Sequence, residues 1–189
     1  MKVGLVGEAP NDTQSIKNLL EKRYSNEEYN FFFMLNNIHG SMLDNSKITG
    51  FLRKEFEFHK PDIVILIRDL DSVLPNFAKR RERQEFFSKS NSIVDRRGIR
   101  LLHIYEIEAL IFTNLDIFNS IYNTNIEDVK DVMSITEPKE ELKKASKKYK
   151  ESDNPEIFLQ MNFEKTLSCL YFEQFIKRFD KTISLLKKA

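Results

Sequence analysis

The feature that most constrains the fold is an unbroken run of aliphatic residues in the first half of the chain. From Asp62 to Ile67 the sequence reads Asp-Ile-Val-Ile-Leu-Ile, and Arg68 follows at once. β-Branched residues favour strands, and a strand of a parallel sheet is apolar along its length because helices cover both of its faces. The run therefore predicts a central strand of a parallel sheet, and with it an α/β protein.

Three shorter apolar runs predict further strands at Lys2–Gly7, Tyr29–Leu35 and Ile99–Tyr105. Between these strands, apolar residues recur at helical spacing around Ile16 and Ile48, and a charged helical segment spans residues 76 to 97. Strands that alternate with helices are typical of a parallel sheet with right-handed crossovers. We therefore expect a parallel sheet of about four strands, flanked by helices.

Beyond Tyr105 the apolar pattern is helical and no fifth strand is indicated. Further helices are expected at Leu115–Tyr122, Glu137–Lys150 and Phe163–Phe179. We interpret residues 1–105 as an α/β core and residues 106–189 as a helical C-terminal extension that caps it, the two forming a single compact unit.

Composition narrows the classes of protein that fit. The chain has 189 residues and a formal net charge of +1, so no global field points to a polyanionic partner. Its single cysteine, Cys169, excludes an internal disulfide and a cysteine-rich zinc site. Neither a signal core nor a membrane-spanning run is visible, and phosphate-loop and dinucleotide-binding glycine motifs are missing. We expect a cytoplasmic protein that does not bind membranes.

Acidic residues follow the predicted strands. Glu8 ends the first strand, and Asp69 and Asp71 end the third. Parallel sheets place their ligands beyond the carboxyl ends of the strands, so Glu8 is expected beside Asp69 if the first and third strands are neighbours. Asp69 and Asp71 would project to the same side if the extended conformation persists past Arg68. Three carboxylates without histidine or cysteine suit Mg²⁺ or Mn²⁺.

Other interpretations of these acids stay open. Glu8 and Asp12 could cap the first helix, and Asp69 and Asp71 could form a turn. Glu106 or Glu108 could add a fourth acid from the fourth strand, with Glu106 preferred, or both could lie in the first turn of a helix. Arg68 could contact a phosphate or neutralise neighbouring carboxylates. The histidines His39, His59 and His103 show no spacing typical of a metal site.

Two motifs resemble the Toprim domain of topoisomerases, bacterial primases and related nucleases. These are Gly7-Glu8-Ala9-Pro10-Asn11-Asp12 after the first strand and Ile67-Arg68-Asp69-Leu70-Asp71 after the third. The resemblance implies a Toprim-like sheet, with Glu8, Asp69 and Asp71 as catalytic, Mg²⁺-binding residues. Three further segments resemble a bacterial group of Toprim-like proteins. They are the segment from Tyr105 to Phe112, Glu137-Pro138-Lys139, and the lysine-rich segment around Tyr149.

A basic segment follows the acidic pair. Between Lys79 and Arg100 there are eight basic and three acidic residues, a local charge of +5. We expect Arg80, Arg81 and Arg83 to contact the phosphates of DNA or RNA, with Lys139 on a second basic wall. The alternative is a solvated helix face.

These observations predict a Mg²⁺- or Mn²⁺-dependent nuclease that acts on DNA or RNA. One alternative is a Toprim-like binding module that has lost turnover and works through a protein partner or as an inactive subunit. A second is a hydrolase of a small phosphorylated substrate, because acids of this kind indicate phosphate chemistry and not the size of the substrate.

Overall fold

Four strands form one sheet in the computed structural model, which describes residues 1–24, 27–36, 42–43 and 45–188. They are β1 (Lys2–Val6), β2 (Asn30–Phe33), β3 (Ile63–Asp69) and β4 (Gly98–His103). The strand order is β2-β1-β3-β4, and every pairing is parallel. The predicted α/β fold with a four-stranded parallel sheet is confirmed, whereas His39 lies outside the described residues.

Helices make up most of the remaining structure. The described residues contain α1 (Pro10–Leu20), α2 (Ser46–His59), α3 (Phe77–Ile93), α4 (Leu115–Tyr122), α5 (Pro138–Ala145), α6 (Asn154–Gln160), α7 (Phe163–Thr166) and α8 (Leu170–Leu186). Short 3₁₀ helices cover Ile107–Asn114, Val132–Ser134 and Glu151–Asp153. Within the described ranges no strand follows β4, in agreement with the predicted helical C-terminal part.

Local chemistry explains where the helices next to the acids begin. α1 begins at Pro10, whose fixed φ suits the first helical position and whose missing N–H would have no partner there. α3 begins after Asn76, whose side-chain oxygen accepts a hydrogen bond from the Lys79 amide at 3.1 Å. α1 therefore starts two residues after Glu8, whereas α3 starts at Phe77, after the loop that follows Asp69.

The side chains of β3 divide between two apolar clusters because successive residues of a strand point to opposite faces. Ile63, Ile65 and Ile67 belong to one cluster, and Val64 and Leu66 belong to the other. All five are at most 2% exposed. β3 is thus covered on both faces, as its sequence predicts.

The two clusters show which helices cover which face. The cluster around Ile65 contains residues of α1 and of the helical part after β4, including Phe118 and Phe175. The cluster around Val64 contains Leu52 of α2 and Phe87 of α3. Full burial of a side chain such as Phe175 stabilises the fold by about 1.5–3 kcal/mol. The C-terminal helices therefore share an apolar core with the sheet.

None of the helices in the described part of the chain combines the length and the apolar character that a membrane span requires.

Candidate active site at the carboxyl edge of the sheet

The carboxyl ends of β1 and β3 lie side by side, because Val6 is the register partner of Leu66. Glu8 follows β1 and Asp69 is the last residue of β3, so the two acids meet at this edge. The Asp69 amide donates a hydrogen bond to Glu8 Oε1 at 3.4 Å. The structure therefore brings together the two acids that the strand ends predict as neighbours.

The turn that carries Glu8 packs tightly against α1. Gly7 precedes Glu8, and a Cβ atom at this glycine would lie 2.7 Å from Thr13 Cγ2. Contacts this short essentially never occur, so with any larger residue here either the turn or the Thr13 side chain would have to shift. The close approach of Gly7 to Thr13 thus constrains the turn that carries Glu8.

Asp71 takes a different path from the one that the spacing suggests. The strand ends at Asp69, Leu70 is fully buried, and the backbone of Asp71 is left-handed with φ of 53°. The extended conformation thus stops before Asp71, whose amide donates to the Tyr105 carbonyl at 2.9 Å. The condition under which Asp69 and Asp71 would project side by side from one strand is not met.

Two buried arginines form ion pairs with two of the predicted acids. Arg68 is 1% exposed, and its Nε lies 2.5 Å from Glu8 Oε1. Arg83 is 3% exposed, and it donates to Asp71 Oδ2 at 2.5 Å and to the Asp69 carbonyl oxygen at 2.7 Å. Of the two roles that the sequence leaves open for Arg68, this geometry supports neutralisation of a carboxylate.

Asp12 joins the acids from the first turn of α1. Burial raises the pKa of its carboxyl to about 7, and the negative charges of Glu108 and Glu8 act in the same direction. From the sequence, Asp12 is expected only as a possible helix cap and is not predicted as a site residue. Its place in the first motif, four residues after Glu8, is the signal that could have identified it.

Glu108 is the most deeply buried of these acids, at 4% exposed. Its carboxylate accepts a hydrogen bond from Asn154 Nδ2 at 2.9 Å, and Asn154 Oδ1 accepts one from the Tyr149 hydroxyl at 2.7 Å. Burial raises the pKa of Glu108, while the bond from Asn154 opposes that shift. This chain of hydrogen bonds fixes the carboxylate on the first turn of the 3₁₀ helix that follows β4.

Asp69 lies at the centre of the group. Burial raises its pKa well above the usual range, and the negative charges of Asp12, Glu108, Glu8 and Asp71 raise it further. We name these five residues the acidic cluster. They come from the ends of β1 and β3, the turn after β3, the start of α1 and the 3₁₀ helix after β4, so five separate places in the chain meet at one edge.

Glu106, the preferred fourth acid, faces a different partner. Lys139 Nζ lies 3.2 Å from Glu106 Oε1 and 3.7 Å from Glu151 Oε1. The predicted metal ligand and the predicted phosphate-binding lysine thus form an ion pair with each other. Glu108, two residues further on, is the acid whose charge acts on Asp69 and Asp12.

The predicted phosphate-binding arginines of α3 differ in exposure. Arg80 is exposed, and the side chain of Arg81 is 84% exposed with its Nε 3.1 Å from Glu85 Oε1. Arg83 instead points inward, where Asp71, Glu82 and the Asp69 carbonyl occupy its donors. A surface role for Arg83 does not agree with this burial, whereas Arg80 and Arg81 stay candidates for phosphate contact.

The acidic cluster offers oxygen ligands only, the donor type that Mg²⁺ and Mn²⁺ prefer. Among the residues that the structure describes, no three histidine, cysteine, aspartate or glutamate side chains are already arranged to hold a metal ion. The ion pairs of Glu8 with Arg68 and of Asp71 with Arg83 contribute to this, because they direct two of the carboxylates toward guanidinium groups. The oxygen ligands suit a hard cation such as Mg²⁺ or Mn²⁺. To bind it, carboxylates of the cluster would have to turn toward the ion.

Comparison with protein-family models, with curated proteins and with solved structures gives no match. The resemblance of the two motifs to the Toprim domain therefore stays a prediction.

Proposed function

We propose that this chain is a cytoplasmic, divalent-metal-dependent phosphodiesterase, a nuclease that acts on DNA or RNA at the acidic cluster. The observation that carries the proposal is the convergence of four carboxylates, those of Glu8, Asp12, Asp71 and Glu108, around that of Asp69. Crowded carboxylates repel one another, and burial at a sheet edge strengthens that repulsion. A bound cation would relieve it, and the carboxyl edge of a parallel sheet is where α/β proteins bind their ligands.

Asp12, Asp69 and Glu108 are the residues that we propose as the principal ligands. Asp12 and Asp69 make no ion pair within the described part of the chain, although the positive charge of Lys139 acts on Asp12 from a longer distance. Glu8 and Asp71 would become further ligands if their carboxylates turned from Arg68 and Arg83 to the metal ion. Bound Mg²⁺ or Mn²⁺ would supply an activated water and would stabilise the charge that develops on the phosphate.

The two buried arginines are proposed as positioning residues. Arg68 keeps Glu8 at the end of β1, and Arg83 ties the turn at Asp71 to α3. The exposed side chains of Arg80 and Arg81 lie on the first turns of the same helix. They would attract the polyanionic backbone toward the edge that carries the acids.

The test is cleavage of labelled single- and double-stranded DNA and RNA with Mg²⁺, Mn²⁺ or a chelator, by wild type and by Asp69→Asn and Asp12→Asn. Asp116→Asn is the matched control, because Asp116 is an exposed acid that pairs with Lys165. We expect metal-dependent cleavage by wild type and by the control, and loss of cleavage in the other two. Absence of cleavage by wild type, or full activity of folded Asp69→Asn, would refute the proposal.

A second function is favoured by the ion pairs of Glu8 and Asp71. Because arginines already neutralise these two acids, the edge could serve a binding module that needs no metal. Such a module would bind nucleic acid or a protein partner equally well in chelator and as Asp69→Asn. Hydrolysis of p-nitrophenyl phosphate without cleavage of nucleic acid would instead indicate a small phosphorylated substrate.

A further inference from the structure

A second polar feature lies beside β4, where side chains of α3, β4 and α8 line a common space. A cavity of about 70 Å³ opens there. Its polar lining consists of four arginines, two glutamines and one tyrosine: Arg80, Arg83 and Gln84 from α3, Arg100 from β4, and Tyr171, Gln174 and Arg178 from α8. We name it the arginine cavity.

The charge of the arginine cavity is unbalanced. No carboxylate belongs to its lining, and Arg80, Arg100 and Arg178 form no ion pair with any described residue. Arg83, the fourth arginine of the lining, differs from these because it pairs with Asp71. Arg81, which lies outside the lining, pairs with Glu85. Three positive charges therefore share one small space without a compensating group.

Arg178 shows the consequence most directly. Its Nε atom is buried, and it donates no hydrogen bond to any group in the described part of the chain. Burial lowers the pKa of this guanidinium, and the positive charge of Arg100 lowers it further. A buried charged donor without an acceptor is costly, so the arrangement favours an anion from outside the chain.

The arrangement of the hydrogen-bond donors indicates which kind of anion fits the cavity. Guanidinium groups form paired, parallel hydrogen bonds with phosphate oxygens, and the two glutamine amides and the tyrosine hydroxyl add neutral donors. Arg100 and Arg178 come from different elements, β4 and α8, so they can approach one anion from two sides. A tetrahedral oxyanion with several acceptor oxygens uses this set of donors better than a chloride ion does.

We infer that the arginine cavity binds one phosphate group, held by Arg100 and Arg178 with Arg80 beside them. This site is separate from the acidic cluster and does not depend on the proposed nuclease activity. The phosphate could belong to a nucleic-acid strand or to a small phosphorylated molecule, because both present the same oxygens to the guanidinium groups. Arg83 links the two regions, since it lines the cavity and also binds Asp71.

The experiment is isothermal titration of the full chain, at constant ionic strength, with inorganic phosphate and with a short 5′-phosphorylated oligonucleotide in chelator. Arg178→Gln and Arg100→Gln remove one guanidinium each. Arg53→Gln is the matched control, because it makes the same change at an exposed position of α2 outside the cavity. We expect each cavity variant to weaken binding by about tenfold or more and the control to bind as wild type does.

Arg100 is exposed and contributes nothing to either apolar cluster, so Arg100→Gln should fold even where Arg178→Gln does not. Tighter binding of the oligonucleotide, with the same dependence on Arg100, identifies a nucleic-acid phosphate. Equal affinity for inorganic phosphate identifies a free phosphate or a small phosphorylated molecule. If neither probe binds, or if folded Arg100→Gln binds both as wild type does, the inference is overturned.

Discussion

The guanidinium of Arg68 lies against the carboxylate of Glu8, with 2.5 Å between Arg68 Nε and Glu8 Oε1. Arg68 is at the same time one of the largest fully buried side chains, and its guanidinium stacks 4.7 Å from the centre of the Phe86 ring. A charge in this position is tolerated because the carboxylate and the aromatic face compensate for lost water. The ion pair thus connects the edge that carries the acids to the interior under α3.

Removal of this guanidinium should destabilise the protein strongly. In Arg68→Met the carboxylate of Glu8 loses its partner while it stays largely buried, so the free energy of unfolding should fall by about 3 kcal/mol. Arg81→Met, which breaks an exposed pair with Glu85, should cost less than about 1 kcal/mol. Urea unfolding measures both. Because Glu8→Gln removes the orphaned charge, the double variant should recover part of the loss, and equal costs for the two single variants would contradict the ion-pair argument.

Asp12→Asn should stabilise the protein at neutral and higher pH. The pKa of Asp12 in the folded protein is about 7, above the value of about 4 expected in the unfolded chain. Between these values the folded state binds more protons, so stability is fully present below pH 4 and is lost as the pH rises through 7. The asparagine does not ionise, so the variant should exceed wild type by up to about 4 kcal/mol at pH 8 and match it near pH 4.

Urea unfolding at pH 4, 6 and 8 measures this difference. Asp116→Asn provides the control, since Asp116 is an exposed acid paired with Lys165. A constant difference between Asp12→Asn and wild type across the three pH values would show that neither burial nor the nearby carboxylates raise the pKa of Asp12.

His103 should give stability the opposite dependence on pH. Burial lowers the pKa of this histidine on β4 to about 3, well below the value of about 6.5 in the unfolded chain. The unfolded state therefore binds more protons between these values, and this contribution to stability is lost as the pH falls below about 6.5. His103→Leu should reduce the slope of unfolding free energy against pH by as much as about 1.4 kcal/mol per unit between pH 4 and 6. The free energies of unfolding are compared with those at pH 8. The same slope in His103→Leu and in wild type would contradict a lowered pKa of His103.

Divalent metal should stabilise the wild-type protein and not the variants of the acidic cluster. A ligand that binds only the folded state raises the melting temperature with its concentration. We expect Mn²⁺ and Mg²⁺ to raise it for wild type and Asp116→Asn, and a chelator to reverse the effect. Asp69→Asn combined with Asp12→Asn should abolish the response, and an equal response in this double variant would place metal binding elsewhere.

The fold follows from the sequence to a large extent, because each strand and most helices depend on short-range patterns. The aliphatic run before Arg68 is β3, and the predicted helix at Leu115–Tyr122 is α4. Two other helices differ from their predictions, one in its length and one in its continuity. The predicted helix at Glu137–Lys150 ends at Ala145, and the one at Phe163–Phe179 is divided between α7 and α8. α6 was missed because Asn154 and Pro155, which begin it, are equally typical of a turn.

The candidate site can be predicted from the sequence less well than the fold, because it depends on which side chains point inward. Glu8 and Asp69 can be placed by the strand order alone. Asp12 in the first turn of a helix reads equally well as a cap, and Glu108 cannot be preferred to Glu106 without knowing that Lys139 comes to Glu106 from α5. Arg83 belongs to a charged run whose spacing does not reveal the one buried side chain. These choices are made by tertiary contacts.

The strand order β2-β1-β3-β4 also determines when the acidic cluster can form. Glu8 and Asp69 are 61 residues apart, and Asn154 reaches Glu108 across another 46. Every strand pairing in the sheet is non-local, and such topologies fold more slowly than those made of local contacts, because loops must close before pairing rewards them. Glu8 and Asp69 therefore cannot come together before β1 and β3 have paired. Until then the growing chain keeps its carboxylates apart in water, where their charges cost little.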